Sequence, residues 1–256
     1  MDLKKQVQDQ FGKHAHLYVT SENHAQGEDL SAMSAIAGAN NSMTMLDIAT
    51  GGGHVANRFA SIVKKVVALD LTDRMLQQAE AFIKNNGHSN VEFVQGDAEA
   101  LPFADNSFDI VTCRIAPHHF PNIASFVKET YRVLKKGGVF LLIDNVAPEC
   151  GELDAFYNTV EKRRDLSHHR ALKKTEWLNL LEISGFTIEQ MISFTKTFSF
   201  NSWFDRMGMP LSDKQELENF ILQAPDYIHN HFCVKEKDGR LESFQAQSVL
   251  VKVKKR

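Results

Sequence analysis

Short apolar runs alternate with amphipathic segments along the first 147 residues of the chain. The runs are continuous and rich in branched and aromatic side chains, so they predict buried strands, at residues 44–49, 66–70, 91–95, 108–113 and 138–144. The segments between them carry apolar residues at helical spacing and end in glycine or asparagine. This alternation predicts a parallel sheet that helices cover on both faces.

The pattern changes after Pro148. Two helices are predicted over 150–183, a sixth strand begins at residue 186, and residues 195–233 are rich in aromatic side chains. We interpret the aromatic stretch either as a small helical core or as the wall of a substrate pocket. The fold class is therefore α/β, with a Rossmann-like, doubly wound, mostly parallel seven-stranded sheet. Its last strand is antiparallel, and a helical insertion precedes that strand.

Composition narrows the class of protein. The chain has 256 residues, is 43% hydrophobic and carries a formal net charge of -3, which gives no reason to expect nucleic acid as a partner. No window approaches the roughly 18 apolar residues that span a bilayer, and the start of the chain lacks the apolar core of a signal peptide. The three cysteines show no zinc-binding spacing, so we expect reduced thiols, a cytoplasmic location and no metal.

A glycine-rich stretch gives the first indication of a ligand. An apolar run that contains Asp47 leads directly into Gly51, Gly52 and Gly53. Glycine allows a backbone to turn sharply between a strand and a helix and to approach a ligand closely. The spacing from Gly51 to Ala56 also satisfies the dinucleotide fingerprint, which on its own is a weak match. The stretch therefore predicts a nucleotide-like ligand without identifying it.

Acidic residues at the strand ends favour one class of ligand. Asp70 follows Gly51 by 19 positions, the distance at which an acid meets ribose hydroxyls. A carboxylate at Asp47 would repel a pyrophosphate, whereas S-adenosylmethionine carries an ammonium and a sulfonium and no phosphate. Asp97, after the third strand, is suited to accept a hydrogen bond from the adenine amino group. As alternatives, Asp47 hydrogen-bonds only the loop amides, and Asp97 only initiates a turn.

Together these residues resemble the class I S-adenosylmethionine-dependent methyltransferases, and within them the small-molecule branch that includes the ubiquinone/menaquinone C-methyltransferases. The resemblance covers about residues 11–145, and its motifs lie at residues 46–53, 67–70, 96–103, 108–111 and 132–138. Ala49 stands where this family more often has glycine. The sequence Pro117-His118-His119-Phe120 also departs from the quinone enzymes, so the resemblance does not imply a quinone substrate.

The resemblance implies a methyltransferase that moves a methyl group from S-adenosylmethionine to a small organic molecule by in-line displacement, leaving S-adenosylhomocysteine. The residues expected to bind the cofactor are Tyr18, Asp47, Ala49, Gly51, Gly53, Asp70, Leu71, Met75, Asp97, Ala98, Arg114 and His119. Tyr18 belongs to an N-terminal helix that in this family often closes over the methionine end.

We expect a single domain in which four segments have different tasks. They are N-terminal helices over 1–42 that cover the cofactor site, a cofactor-binding core over 43–147, substrate-side helices with strand six and the aromatic insertion over 148–240, and the last strand over 241–256. The two N-terminal helices are predicted at 3–18 and 25–38.

Two histidines are candidates for catalysis. His118 and His119 follow the fourth strand, where the reacting methyl group is expected, and imidazole can accept a proton near neutral pH. Alternatively, one of them caps the following helix and the other packs against the cofactor. A further group, His168-His169-Arg170, is interpreted either as a solvated loop or as a contact for an acidic substrate.

Two alternative functions remain open from the sequence. The Gly51-to-Ala56 fingerprint also fits an NAD-dependent oxidoreductase, although Asp47 and the lack of a Tyr-x-x-x-Lys pair oppose it. A non-catalytic cofactor-binding protein of the same fold is the other possibility. The sequence does not identify the acceptor atom or the oligomeric state.

Overall fold

The five predicted parallel strands form the centre of one sheet. The computed structural model describes residues 4–10, 27–205 and 207–256. The strands are β1 (Thr44–Ile48), β2 (Lys65–Asp70), β3 (Val91–Gln95), β4 (Phe108–Arg114) and β5 (Leu134–Val146). They lie in the order β3-β2-β1-β4-β5, all parallel. Because β1 and β4 are neighbours although two strands separate them in the chain, the strand order reverses there, and a ligand crevice is expected beyond their carboxyl ends.

Long antiparallel strands complete the sheet beyond β5. β8 (Arg240–Lys255) pairs antiparallel with β5 on one side and with β6 (Phe186–Ser199) on the other, which confirms the antiparallel last strand. The predicted count of seven strands needs correction, because β7 (Lys235–Lys237) also pairs with β8. A tight turn with positive φ at Asp238 and Gly239 joins these two strands. β7 is short and wholly exposed, so no apolar pattern marks it in the sequence.

Helices cover both faces of the sheet, as the strand pattern predicts. One apolar cluster contains Val111, Phe126 and Trp177, and the opposite face carries another with Met33 and Phe59. The helices are α1 (Glu28–Ile36), α2 (His54–Ala60), α3 (Asp73–Asn85), α4 (Ile123–Val133), α5 (Gly151–Arg164), α6 (Lys174–Ile183), α7 (Phe200–Asp205), α8 (Leu211–Leu222) and α9 (Asp226–His231). Residues 4–10 are helical as well. Among these described helices, none combines the length and apolar character needed to cross a bilayer.

The boundary between α4 and β5 differs from the prediction. The sequence predicts that the helix continues to residue 135 and that the strand begins at 138, because two lysines and two glycines lie between them. In the structure the helix ends at Val133, and Leu134 is already extended, fully buried and paired with Phe108 of β4. Burial of the Leu134 side chain in the sheet therefore outweighs the local preference for a helix end.

The aromatic stretch forms a small core of its own beside the distal ends of β6 and β8. Its buried members come from α5, α7, α8 and β8, namely Val160, Phe200, Trp203, Phe204, Leu217, Ile221, Leu241 and Phe244. Arg164 lies over the Trp203 ring at 4.3 Å, which closes one edge of this core. Of the two interpretations of the stretch, the packing supports the helical core.

Gly53 shows how the glycine loop is fixed to the helices. It has φ 82° and precedes α2 directly. A Cβ atom there would lie 3.0 Å from both Ala79 Cβ and Ile83 Cδ1 of α3. Gly53 thus allows α2 and α3 to pack closely, and its role in the described structure is this contact between helices.

Gly53→Ala should lower the free energy of unfolding by roughly 2–4 kcal/mol, through left-handed backbone strain and overpacking. Gly87→Ala is a matched control, because Gly87 has φ 85° but no atom lies within 4 Å of the position that its Cβ would take. The control should lose only about 1 kcal/mol, from backbone strain alone. Urea unfolding of both variants measures the difference. Equal losses would show that the contact with α3 is unimportant.

Candidate active site

A cavity lies beyond the carboxyl ends of β1 to β4, where the strand order reverses. Ten of the residues predicted to bind the cofactor line it: Asp47, Ala49, Gly51, Asp70, Leu71, Met75, Asp97, Ala98, Arg114 and His119. Gly53 and His118 are not part of this lining, and Tyr18 lies outside the described residues. The fold therefore brings most of the predicted cofactor residues together around one cavity.

Several residues that line the cavity were not predicted from the sequence. They are Lys4, Val7, Thr50, Gly52, His54, Val55, Leu69, Thr72, Gly96, Glu99, Ile115, Ala116, Phe120 and Pro121. Most are immediate neighbours in sequence of the predicted residues, in the loops at the strand ends. The positions of these loops in the sequence could therefore have identified them. Lys4 and Val7 belong to the N-terminal helical segment, and no local pattern links them to the cavity.

Three residues of the glycine loop, at alternate positions, have a left-handed backbone conformation. Ala49, Gly51 and Gly53 have φ values of 54°, 55° and 82°. Positive φ is free of steric cost for glycine but costs a residue with a Cβ atom roughly 1 kcal/mol or more. Ala49 therefore stores a small strain at the position where the family more often has glycine. The loop turns the chain from β1 into α2 beneath the cavity.

Asp47 joins this loop to the neighbouring strand. Its Oδ2 accepts a hydrogen bond from the Thr50 hydroxyl and its Oδ1 accepts one from the Thr112 hydroxyl, both at 2.7 Å. The side chain is only 1% exposed, and burial raises its pKa from 3.8 to about 6. Asp47 thus has hydrogen-bond partners within the protein, as the alternative interpretation predicts. These two partners are hydroxyls, however, and Asp47 also lines the cavity.

Asp70 holds the other side of the same loop. Its Oδ2 accepts from the Gly51 amide and its Oδ1 from the Thr72 amide, each at 2.9 Å. Burial raises the pKa of Asp70 above its ordinary value, and the two amide bonds partly oppose that shift. Asp70 also lines the cavity.

The N-terminal helical segment meets the third acid. Lys4 Nζ lies 2.5 Å from Asp97 Oδ2 and 2.6 Å from Glu99 Oε2. Nearby, Gln8 Nε2 donates to the Leu71 carbonyl at 3.0 Å. Residues 4–10 therefore lie along the rim of the cavity that Asp97 and Leu71 form.

Arg114 is held by a buried ion pair with α1. Its Nε and Nη2 donate to the two carboxylate oxygens of Asp29, at 3.2 and 2.9 Å. Lys196 Nζ approaches the same carboxylate at 3.6 Å. Burial would raise the pKa of Asp29, but Arg114 and Lys196 hold it below its ordinary value. This bidentate pair fixes the guanidinium at the wall of the cavity.

Neither histidine caps α4, so that interpretation is wrong. The cap is Asn122, whose side chain accepts from the Ser125 amide. His119 lines the cavity, and its Nδ1 faces the Ser167 carbonyl at 3.1 Å. His118 lies behind it, with ring centroids 4.2 Å apart, and its Nδ1 is 2.6 Å from Asp144 Oδ1. The two neighbours in sequence thus have different environments.

The solvated-loop interpretation of His168-His169-Arg170 holds for His169, which is exposed, and in part for Arg170, but not for His168. His168 is 1% exposed, and its Nε2 lies 3.0 Å from Asn158 Oδ1. The His118 carbonyl accepts hydrogen bonds from the amides of His169 and Arg170. Burial of His168 is possible because its Nε2 and the adjacent backbone find partners within the protein.

Charge in the cavity favours a cationic ligand. Four carboxylates line it (Asp47, Asp70, Asp97 and Glu99), against two basic side chains, Lys4 and Arg114. Both basic groups already contact carboxylates. Within the part of the chain that the structure describes, no three His, Cys, Asp or Glu side chains are arranged to hold a metal ion.

Comparison with known proteins agrees with this geometry. The sequence profile of the methyltransferase domain family matches residues 46–142. The uncharacterised methyltransferase YcgJ of Bacillus subtilis is 36% identical over 247 residues, which covers 96% of this chain and 98% of that protein. The chain belongs to the class I S-adenosylmethionine-dependent methyltransferase family. The assignment favours methyl transfer over the hydride transfer of an NAD-dependent oxidoreductase.

Two further proteins show how far the similarity of this methyltransferase to known proteins extends. The crystal structure of a candidate methyltransferase from Bacillus halodurans is 56% identical, covers 90% of this chain and 99% of its own, and has a TM-score of 0.88. The ubiquinone/menaquinone biosynthesis C-methyltransferase UbiE of Klebsiella pneumoniae is 35% identical over 126 residues, 48% of this chain and 50% of that protein. The similarity to the quinone enzymes is therefore partial.

Asp47→Asn should make the stability of the methyltransferase less dependent on pH. Because the pKa of Asp47 rises from 3.8 to about 6 on folding, its contribution to stability is full below about pH 4 and is lost as pH rises through 6. The melting temperature of the variant relative to the wild type should therefore increase between about pH 5 and pH 7.5. Asp73→Asn, at an exposed position, is the control and should show a constant difference. A constant difference for Asp47→Asn would contradict the assignment.

Proposed function

We propose that the methyltransferase binds S-adenosylmethionine in the cavity at the strand ends and methylates a small organic molecule. The observation that carries the proposal is the meeting of Asp47, Asp70 and Asp97, from three separate strand ends, in the lining of one cavity. Carboxylates attract the ammonium and sulfonium charges of this cofactor and repel the phosphates of a dinucleotide.

The residues present fit the two ends of the cofactor. On the nucleoside side, Asp70 has lone pairs for the ribose hydroxyls, and Leu71, Met75 and Ala98 offer apolar contacts for the adenine. Asp97 would accept from the adenine amino group beside the rim that Lys4 contacts. These assignments follow the family resemblance and the shared cavity.

On the methionine side, the backbone of Ala49 and Gly51 forms the floor of the cavity, and Asp47 lies behind it. Arg114, fixed by Asp29, would orient the cofactor carboxylate, and His119 would pack beside the methionine chain. When bound, S-adenosylmethionine supplies a methyl group activated by its positively charged sulfur. The protein contributes by holding the acceptor in line with that methyl group and by excluding water.

The acceptor is proposed to be a small molecule and not a nucleic acid. A net charge of -3 and the acidic lining favour such a partner over nucleic acid. We also propose a cytoplasmic location, which the free thiols of Cys113, Cys150 and Cys233 support. A quinone acceptor is not carried over from UbiE, because that similarity covers only 50% of the relative.

Calorimetric titration with S-adenosylmethionine and S-adenosylhomocysteine tests the cofactor assignment. Asp70→Ala should weaken binding of both by roughly 10–100-fold, because it removes charged hydrogen bonds to the ligand and a support of the glycine loop. Asp73→Ala removes a nearby but exposed acid outside the cavity lining and should bind as the wild type does. Circular dichroism of both variants confirms that they are folded. Failure of the wild type to bind either ligand at high micromolar concentration would overturn the proposal.

A further inference from the structure

A group of buried polar side chains lies next to His119, outside the cavity lining. It contains His118, Asp144 of β5, Tyr157 and Glu161 of α5, and His168, each less than 9% exposed. Burial of carboxylates and imidazoles costs free energy unless they are paired. None of these five is among the residues proposed to hold the cofactor. We therefore expect these five residues to act on the methyl acceptor.

The contact between His118 and Asp144 fixes the imidazole in one tautomer. Nδ1 lies 2.6 Å from Asp144 Oδ1, and a carboxylate accepts hydrogen bonds, so Nδ1 carries the proton. In the neutral ring the lone pair is then on Nε2, for which the described residues offer no hydrogen-bond partner. The backbone of His118 is fixed as well, because its carbonyl accepts from two amides of the 165–170 loop, at 2.8 and 3.0 Å.

The carboxylate of Asp144 is not fully satisfied by this contact. Its side chain is completely buried, yet Oδ2 has no hydrogen-bond partner among the described residues. Tyr157 and Glu161 of α5 are buried as well, at 1% and 3% exposure. Buried polar atoms without partners are uncommon and point to a functional arrangement.

From this geometry we infer that His118 accepts a proton from the methyl acceptor through Nε2, and that Asp144 positions it for that task. The inference rests on the proposed function. In the step, the bond between the nucleophilic atom of the acceptor and its hydrogen breaks, the proton bonds to Nε2, and the electron pair stays on the nucleophile. That pair forms the new bond to the methyl carbon, whose bonding electrons to sulfur leave with the sulfur.

His119 is not suited to this role. Its Nδ1 faces the Ser167 carbonyl and hydroxyl, at 3.1 and 3.2 Å, and its Nε2 lies 4.0 Å from Asp165 Oδ2. Burial and the neighbouring His118 lower the pKa of His119 to about 3, which makes it a weak base. It lines the cavity beside His118, and we assign it to packing against the ligand.

The surroundings of His118 make it the stronger base. The titratable and charged groups around it are Asp144 on β5, Tyr157, Glu161, Lys162 and Arg164 on α5, and His119, Asp165 and His168 on adjoining segments. Burial alone would lower the pKa of His118, but the charge and hydrogen bond of Asp144, with Glu161 and Asp165 farther away, raise it above 6.5. Methyl transfer that depends on neutral His118 therefore increases as pH rises through that pKa.

This assignment defines the class of acceptor. The acceptor must lose a proton during the reaction, as a hydroxyl, a phenol or an amine does, whereas a carboxylate or a thioether has no such proton.

Two-bond proton–nitrogen NMR of the ¹⁵N-labelled methyltransferase tests the positioning role without any acceptor. His118→Gln identifies the His118 signals by their loss. In the wild type we expect the Nδ1–H tautomer and a pKa above 6.5. In Asp144→Asn the pKa should fall by about one unit or more, because the neighbouring negative charge is removed. An unchanged pKa and tautomer in Asp144→Asn would overturn the positioning role.

Methyl transfer from labelled S-adenosylmethionine to a panel of phenols, alcohols and amines tests the catalytic role. His118→Gln should transfer at a rate lower by on the order of 100-fold and lose the rise with pH, whereas Asp144→Asn should shift the rise to lower pH. His88→Gln, in the loop after α3 and outside the cavity lining, is the matched control and should keep the wild-type profile. Wild-type transfer by His118→Gln would overturn the inference.

Binding of S-adenosylhomocysteine separates this inference from the proposed function. His118→Gln and Asp144→Asn should bind it within about threefold of the wild type, because neither residue lines the cofactor cavity. If the wild type fails to bind, the proposed function fails. If all three proteins bind and the variants retain normal transfer and a normal pH profile, only the role of His118 and Asp144 fails.

Discussion

The structure depends on a buried carboxylate, Asp47, that has hydroxyl partners on two elements. Thr50 of the glycine loop and Thr112 of β4 each donate to one of its oxygens at 2.7 Å. These bonds tie the end of β1 to the loop and to the adjacent strand, at the point where the sheet order reverses. Without them, a carboxylate that is 1% exposed would be costly. The residues that these contacts join, Asp47 and Thr50, both line the cavity.

The same principle extends to the other acids of the site, which support the backbone as well as the cavity. Asp70 accepts from the Gly51 and Thr72 amides, so it holds the loop from the opposite side to Asp47. Asp97 accepts from the Glu99 amide and meets Lys4. A structural role for these residues is therefore compatible with the proposed role in ligand binding. Because their geometry is fixed by contacts within the protein, the proposed binding would require little reorganisation.

Features encoded by neighbouring residues could be predicted from the sequence. The apolar runs placed the central strands correctly, and ten of the residues predicted to bind the cofactor lie around one cavity. Contacts between distant segments could not be predicted, because packing of the whole chain decides them. Lys4 lies 93 positions from Asp97, and Arg114 lies 85 from Asp29. The boundary at Leu134 failed for the same reason, since its burial in the sheet overrides the local helix signal.

The 165–170 loop shows why a polar sequence is a poor guide to exposure. His168 and Ser167 are each 1% exposed, whereas the apolar Leu166 beside them is 57% exposed. Asp165 accepts from the Ser167 amide and hydroxyl, and the loop amides donate to the His118 carbonyl, so most of these polar groups have partners within the protein. A polar loop that supplies its own partners can enter a protein interior at little cost. Here the amides of His169 and Arg170 tie the segment that follows α5 to the backbone of His118, a contact between residues about 50 positions apart that no sequence motif indicates.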